Sequence, residues 1–359
     1  MMIQDTYWKF FFNVLVNSGL VFITMVLFIE LCLFIFRVKQ QRVKAICRTI
    51  PLLKLCVDFF LYNFSSWALM DGLNPIEAEP GTRMISVIMC FCEELNYPLI
   101  FSSGIQLLLN KGMTFTFTLA DLVILSVNIF WIKLSVVVCF LGSMLFSFRQ
   151  IMRMIESKKM ISDIVQTSWA SPRIIENAFL QKILKKSKVK ILISCELDVP
   201  CAIGFAQKKV IFPAQLLDKF TQTEYEAVIA HEIAHLRWYD SLVRIVSQLI
   251  KAIFWWIPFK SWLSLLEQTQ EKACDDYVGT FNIPRMALAS AIVKSVKQVK
   301  SKRQPMTAIG FVEQCHSLNR MKAILTEAKP GKIGAWRVLK NLMIGLIMTT
   351  LLFGKFWIF

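Results

Sequence analysis

Residues 231–235 read His231-Glu232-Ile233-Ala234-His235, and the chain holds only three histidines in all. On a helix, positions i and i+4 lie about 40° apart, so both imidazoles face one way. That pair suits one face of a tetrahedral zinc ion, and the Glu beside it suits a general base acting on a water at the metal. A catalytic zinc needs a third protein ligand and an open fourth position. Candidates are Glu267, Glu271, Asp275 and Asp276 in the stretch Glu267-Gln-Thr-Gln-Glu-Lys-Ala-Cys-Asp-Asp276. Glu267, Glu271 and Asp275 recur every four residues on one face of an expected second helix, and spacing alone does not choose among them. Another carboxylate there would orient a ligand imidazole. On an unbroken helix Asp240 lies about 140° round from His235, which reads as a structural residue. Cys274 reads as a small buried residue. Cys195 and Cys201 with the two histidines fit no common zinc-finger spacing.

Outward from this motif, Thr223 followed by Glu226 predicts a capping box and a helix running to about Gln248. Upstream, Val189, Ile191 and Ile193 alternate within residues 188–194, which predicts a strand. Pro200 and Gly204 mark a turn, and Val210–Phe212 predicts a returning strand closed by Pro213. Downstream, residues 247–266 are apolar but interrupted by Pro258, Lys251 and Lys260. With Trp255, Trp256 and Trp262 they predict an interfacial or re-entrant element.

The chain around this core is that of a membrane protein. Its 359 residues are 55% hydrophobic, with a mean hydropathy of +0.53. Four runs approach or exceed the roughly 20 residues a span requires: Phe10–Phe36, about Leu52–Met70, about Leu122–Phe148 and about Val338–Phe359. Residues 37–48 carry Arg37, Lys39, Arg42, Lys44 and Arg48 with no acid, and residues 149–340 hold 30 of the 41 Lys and Arg. The intervening loop 71–117 is mainly acidic. Basic segments stay inside, so both termini are expected outside and the segment 149–337 in the cytoplasm. This accounts for most of the net charge of +16 without a nucleic-acid partner. Ten scattered cysteines suit a reducing compartment or lipid, and the first ten residues show no removable signal peptide. Glu30, Lys54, Asp58, Asp121 and Lys133 fall inside the expected spans, with Lys54 and Asp58 placed to neutralise each other.

The HEIAH motif, then Asp240, then Glu271-Lys-Ala-Cys274-Asp275-Asp-Tyr-Val278 resemble the BlaR/MecR-type sensor-transducer metallopeptidases, whose pattern is HExxH followed by ExxCDxxV. The region Pro200 to Pro213 also resembles the strands that precede HExxH in that family and in HtpX-type and CAAX-processing membrane proteases. The resemblance implies a mainly α membrane protein of about four transmembrane helices with a cytoplasmic α+β zincin-like domain of gluzincin type. Its expected parts are a three-helix membrane domain (1–148), the peptidase domain (149–337) and a last helix (338–359). It implies Zn²⁺ held by His231, His235 and Glu271, with Glu232 as base and Asp275 orienting a histidine. Arg320 is implied at the reacting carbonyl, with His316 a second candidate. The substrate is expected to be a cytoplasmic protein, such as a transcriptional repressor, or the chain itself, added as an extended strand to the edge of a 188–213 hairpin. The other partners are the bilayer of a bacterial plasma membrane and a homo-oligomeric or sensory membrane partner. Two rival readings are a quality-control protease of HtpX type and a non-proteolytic receptor with a structural zinc. A penicillin-binding sensor is not expected. The SxxK match Ser187–Lys190 falls in a basic patch expected inside, so β-lactam acylation is not expected either.

Overall fold

The computed structural model describes residues 2–57, 88–90, 96–101, 103–109, 113–119, 124–204, 207–298, 309–310 and 344–345. Helices α1 (Met2–Ile35) and α2 (Gln41–Val57) open the chain. Five strands follow: β1 (Ile88–Cys90), β2 (Asn96–Phe101), β3 (Ser103–Leu109), β4 (Met113–Leu119) and β5 (Ile124–Asn128). A long helix α3 (Ile129–Thr167) leads through β6 (Trp169–Ala170), α4 (Ala178–Ser187), β7 (Lys190–Ser194), β8 (Cys201–Ile203) and β9 (Lys209–Pro213). Five α-helices follow among the described residues: α5 (Ala214–Leu217), α6 (Gln222–Trp238), α7 (Asp240–Ile253), α8 (Lys260–Val278) and α9 (Arg285–Gln298). Strand β10 (Ile309–Gly310) follows.

Among the described residues, two helical stretches are long and apolar enough to cross a membrane, Ser18–Ile35 in α1 and Phe130–Thr167 in α3. Phe140, Leu141, Met144, Leu145 and Phe148 of α3 stand exposed, which suits lipid and not water. The third expected span is corrected at its start. Residues 124–128 are a strand, and the helix begins at Ile129 and runs on to Thr167. The alternation of Thr and Phe in Met113–Leu119 is a strand signal that hydropathy over a longer window blurs. Of the second expected span, residues 52–57 end α2 and 58–70 lie outside the described residues. Most of 338–359 lies outside them as well, but Ile344 is buried in a cluster with Met25, Ile29 and Leu33 of α1. Glu30 pairs with Arg48 at 2.7 Å, and Lys54 is buried, while Asp58 and Asp121 lie outside the described residues.

The peptidase-like half is built on a five-stranded sheet of order β10-β8-β9-β7-β6. Strands β7 and β9 run parallel, with Ile191 opposite Val210, and β8 fits antiparallel onto the far side of β9. The expected 188–213 hairpin is therefore replaced by a crossover. The chain passes β9's position, forms β8, and returns through a turn at Gly204. There φ is +94° and an added Cβ would meet the Gln207 carbonyl at 2.0 Å, so only glycine fits. The core packs Val210 and Phe212 of the sheet against Tyr225, Val228, Ile229 and Ile233 of α6. Every residue of α6 from Glu224 to Leu236 is buried. A helix enclosed on all sides must have a partner for each polar group it carries.

Two features of α6 differ from the sequence expectation. Its N-cap is Thr221, whose side chain accepts from Glu224 N–H while Glu224 caps the Thr221 N–H. The box thus starts two residues before Thr223, and Glu226 instead accepts the backbone N–H groups of Glu176 and Asn177. The helix also stops at Trp238, because Tyr239 adopts the left-handed conformation (φ +56°) and α7 starts in a new direction. Residues 247–266 form the end of α7, a turn, and the start of α8. The three Trp there anchor the turn to three helices. Trp256 Nε1 donates to Leu15 of α1, Trp255 Nε1 to Cys139 of α3 and Trp262 Nε1 to Arg48 of α2, each at a backbone carbonyl. Trp255 lies over Gly142, where any Cβ would strike the indole.

Candidate metal centre

Helix α6 brings His231 and His235 to one face, and α8 lays Glu271 across them. The two Nε2 atoms are 3.2 Å apart. Glu271 Oε2 is 3.5 Å from His231 Nε2, and Oε1 is 3.5 Å from His235 Nε2. Each ring's other nitrogen faces a carboxylate: His231 Nδ1 lies 3.0 Å from Asp275 Oδ1, and His235 Nδ1 lies 3.0 Å from Asp240 Oδ2. With Nδ1–H donated to these carboxylates, both Nε2 lone pairs point at the Glu271 oxygens. Acceptors converging in this way repel one another unless a cation lies among them. The spacing fits one. A tetrahedral zinc with bonds of about 2.0–2.1 Å has ligand-to-ligand edges of about 3.3–3.4 Å. The donor set, two imidazoles and a carboxylate, is that of a hydrolytic zinc.

Asp240 is nearer the centre than its position on an ideal helix implied. The separation of about 140° holds for a continuous helix, and the break at Tyr239 turns Asp240 back toward His235. It is fully buried, and Arg42 (3.0 Å) and Gln270 (3.4 Å) both reach its Oδ1. Cys274 is buried too, its Sγ 3.3 Å from His235 Nδ1 and 3.6 Å from Asp240 Oδ2. Neither Gly nor Pro announces the break, and an aromatic residue in the left-handed region is unusual, so the sequence carried no signal for Asp240. In the sequence Arg42 reads only as one charge of a basic loop. Glu267, the rival third ligand, faces Arg244 at 3.8 Å. Among the described residues, donor atoms of His231, His235 and Glu271 lie within 4.8 Å of one another, and that group includes neither Glu267 nor Asp276.

Glu232 is fully buried, next to the two histidines in sequence. Strand β8 runs alongside: burial pushes the Cys201 thiol well up, and the Glu232 charge adds to the rise. Arg320 and His316 lie outside the described residues. Strand β8 is paired on its other side as well. Its outer edge is occupied by the chain's own β10, antiparallel, with Ile309 opposite Ala202 and Gly310 opposite Cys201.

Residues 109–324 match the BlaR1 peptidase M56 family. The chain belongs to that family. The match spans α3 and the whole of the sheet and helices that build the centre. The chain is also 25% identical over 112 residues to the methicillin resistance MecR1 protein of Staphylococcus aureus strain Mu50, and equally to that of Staphylococcus epidermidis. The aligned part is 28% of this chain and 19% of the relative's length, so the likeness covers about a fifth of that protein. As an M56 chain with two helices apolar enough to span, it fits a membrane protein.

Proposed function

We propose that this M56 chain is a zinc-dependent endopeptidase of the membrane, active at the cytoplasmic face. The observation that carries the reading is the convergence of His231 Nε2 and His235 Nε2, 3.2 Å apart, on the Glu271 carboxylate, whose Oε2 lies 3.5 Å from the first and whose Oε1 lies 3.5 Å from the second. Zinc held there supplies Lewis acidity, polarising a peptide carbonyl and lowering the pKa of a water. The chain's own residues do the rest. Asp275 and Asp240 hold both rings with Nε2 aimed inward. Glu232, kept dry by burial, takes the proton from the attacking water and passes it to the leaving amine. Arg320 is proposed to stabilise the charge that develops on the carbonyl oxygen.

The β10–β8 pairing supports an extended substrate recognised through its backbone, and it favours the chain itself as one substrate. Backbone pairing reads few side chains, which leaves room for a cytoplasmic repressor as a second substrate. The basic character of 149–340 supports the cytoplasmic placement.

The test incubates the purified full-length protein in detergent, alone and with candidate repressors, beside Glu232→Gln. Wild type should contain zinc and yield fragments cut near residues 309–310, while Glu232→Gln holds zinc and yields none. Equal cleavage by both would overturn the role of Glu232. A wild type without zinc would overturn the metal centre. A reporter fused near Ser301 should be active only as a cytoplasmic reporter.

A further inference from the structure

Asp240 is anchored from outside the family-matched segment. Arg42 lies in the first turn of α2, well before residue 109 where the match begins. Its guanidinium makes three contacts at the break between α6 and α7. Nη1 donates to Asp240 Oδ1 at 3.0 Å, Nη2 donates to the Trp238 carbonyl at 3.3 Å, and Cζ lies 4.7 Å from the centre of the Trp238 ring. The other oxygen of the same carboxylate receives His235 Nδ1 at 3.0 Å. The path from Arg42 to a metal-facing imidazole therefore crosses one buried carboxylate.

The rest of α2 is gripped from both sides. Arg48 holds Glu30 of α1 through two hydrogen bonds (2.7 and 3.0 Å) and donates to Thr269 of α8, two residues before Glu271. Trp262 Nε1 donates to the Arg48 carbonyl. A shift of α1 is thus passed to α2, and a shift of α2 moves Arg42 relative to Asp240.

We propose that Arg42 is a positioning residue for the metal centre: it fixes Asp240, and through Asp240 the ring of His235, so that affinity for zinc depends on where α2 sits. This rests on the zinc reading above. A planar fork that donates to two oxygens and stacks on an indole fixes a carboxylate's rotamer in a way a point charge does not. Without it Asp240 keeps only the longer contact from Gln270 on Oδ1, and the imidazole loses a fixed acceptor. Groups that orient a metal's ligands govern affinity by about 10–100-fold.

The test measures zinc affinity of the full-length protein in detergent by competition with a chromogenic chelator, with the visible spectrum of the Co²⁺ form as a second readout. Arg42→Gln should bind zinc about 10–100-fold more weakly and alter the Co²⁺ bands. Arg42→Lys, which keeps the charge but not the fork, should recover part of the loss and serves if the Gln variant does not fold. If Arg42 acts through Asp240, adding Arg42→Gln to Asp240→Asn should cost no further affinity. Zinc affinity within twofold of wild type in Arg42→Gln, or in Arg42→Lys if the Gln variant does not fold, would overturn the proposal and leave the metal centre standing. So would additive losses in the double variant. A wild-type protein that binds no zinc would overturn both.

Discussion

The two ends of helix α6 each bury charged groups, and they solve the problem differently. At the N-terminal end, Glu224 is paired with donors throughout: Lys294 Nζ at 2.6 Å, Ser290 Oγ at 2.5 Å and the Thr221 N–H at 2.8 Å. That is a closed arrangement of the kind that stabilises a fold. At the C-terminal end the carboxylates are also satisfied, but they spend their hydrogen bonds on Nδ1 of each imidazole. This leaves the Nε2 atoms and Glu271 converging as acceptors. One end is complete without a ligand, and the other gathers acceptors that could hold a cation. The contrast separates buried polar groups that hold the helix from those that equip it.

The sharpest break between the two ends is chemical. Glu232→Gln should leave zinc content unchanged and lower turnover at least about 100-fold, within the range assigned to a general base. Turnover and metal content are measured on the same sample. A variant that cleaves at the wild-type rate would place the base elsewhere. Next in size is the choice of third ligand. Glu271→Ala should lose zinc affinity by more than the about 10–100-fold seen for groups that only orient ligands. Glu267→Ala should stay near wild type, since Glu267 faces Arg244. Equilibrium dialysis distinguishes them, and the opposite pattern would move the site one turn along α8.

A cap deletion probes the other end. Thr221→Ala removes the acceptor for Glu224 N–H and should cost about 1 kcal/mol of stability. Zinc affinity should not follow, because the cap sits on the structural end. A matching loss of zinc affinity would show the two ends to be coupled through the helix.

How far the sequence could be read follows the same division. Both helices of the candidate centre, the facing histidines and the carboxylate stripe on α8 are legible, because a period of 3.6 residues turns spacing into geometry. The alternation of Val189, Ile191 and Ile193 likewise marked β7. What escaped depended on contacts remote in sequence. The parallel pairing of β7 with β9 requires β8 to pass to the far edge, and no local signal states strand order. The role of Asp240 hung on Tyr239, an aromatic residue held left-handed where neither glycine nor proline marks the turn. Arg42 lies 198 residues from the aspartate it anchors, so spacing could not associate them.

The smallest expected effect concerns pH. Burial alone would raise the Glu224 carboxyl, but the hydrogen bonds from Lys294, Ser290 and the Thr221 N–H outweigh it and hold the group below its ordinary value of 4.5. A carboxyl whose pKa is lowered by folding contributes stability at pH values above its unfolded pKa. That contribution falls away as the pH drops through the lowered value. Glu224→Gln keeps the shape but loses the charge that Lys294 pairs with. It should therefore melt below wild type at neutral pH, and the gap should close as the solution is acidified below about pH 4.5. Metal-free protein is the right sample, since acid would also protonate the candidate ligands at the other end of the helix. A gap that stays constant across the acid range would mean that Glu224 acts through packing and its neutral hydrogen bonds. The N-terminal network would then owe its stability to the cap geometry and not to the charge of Lys294.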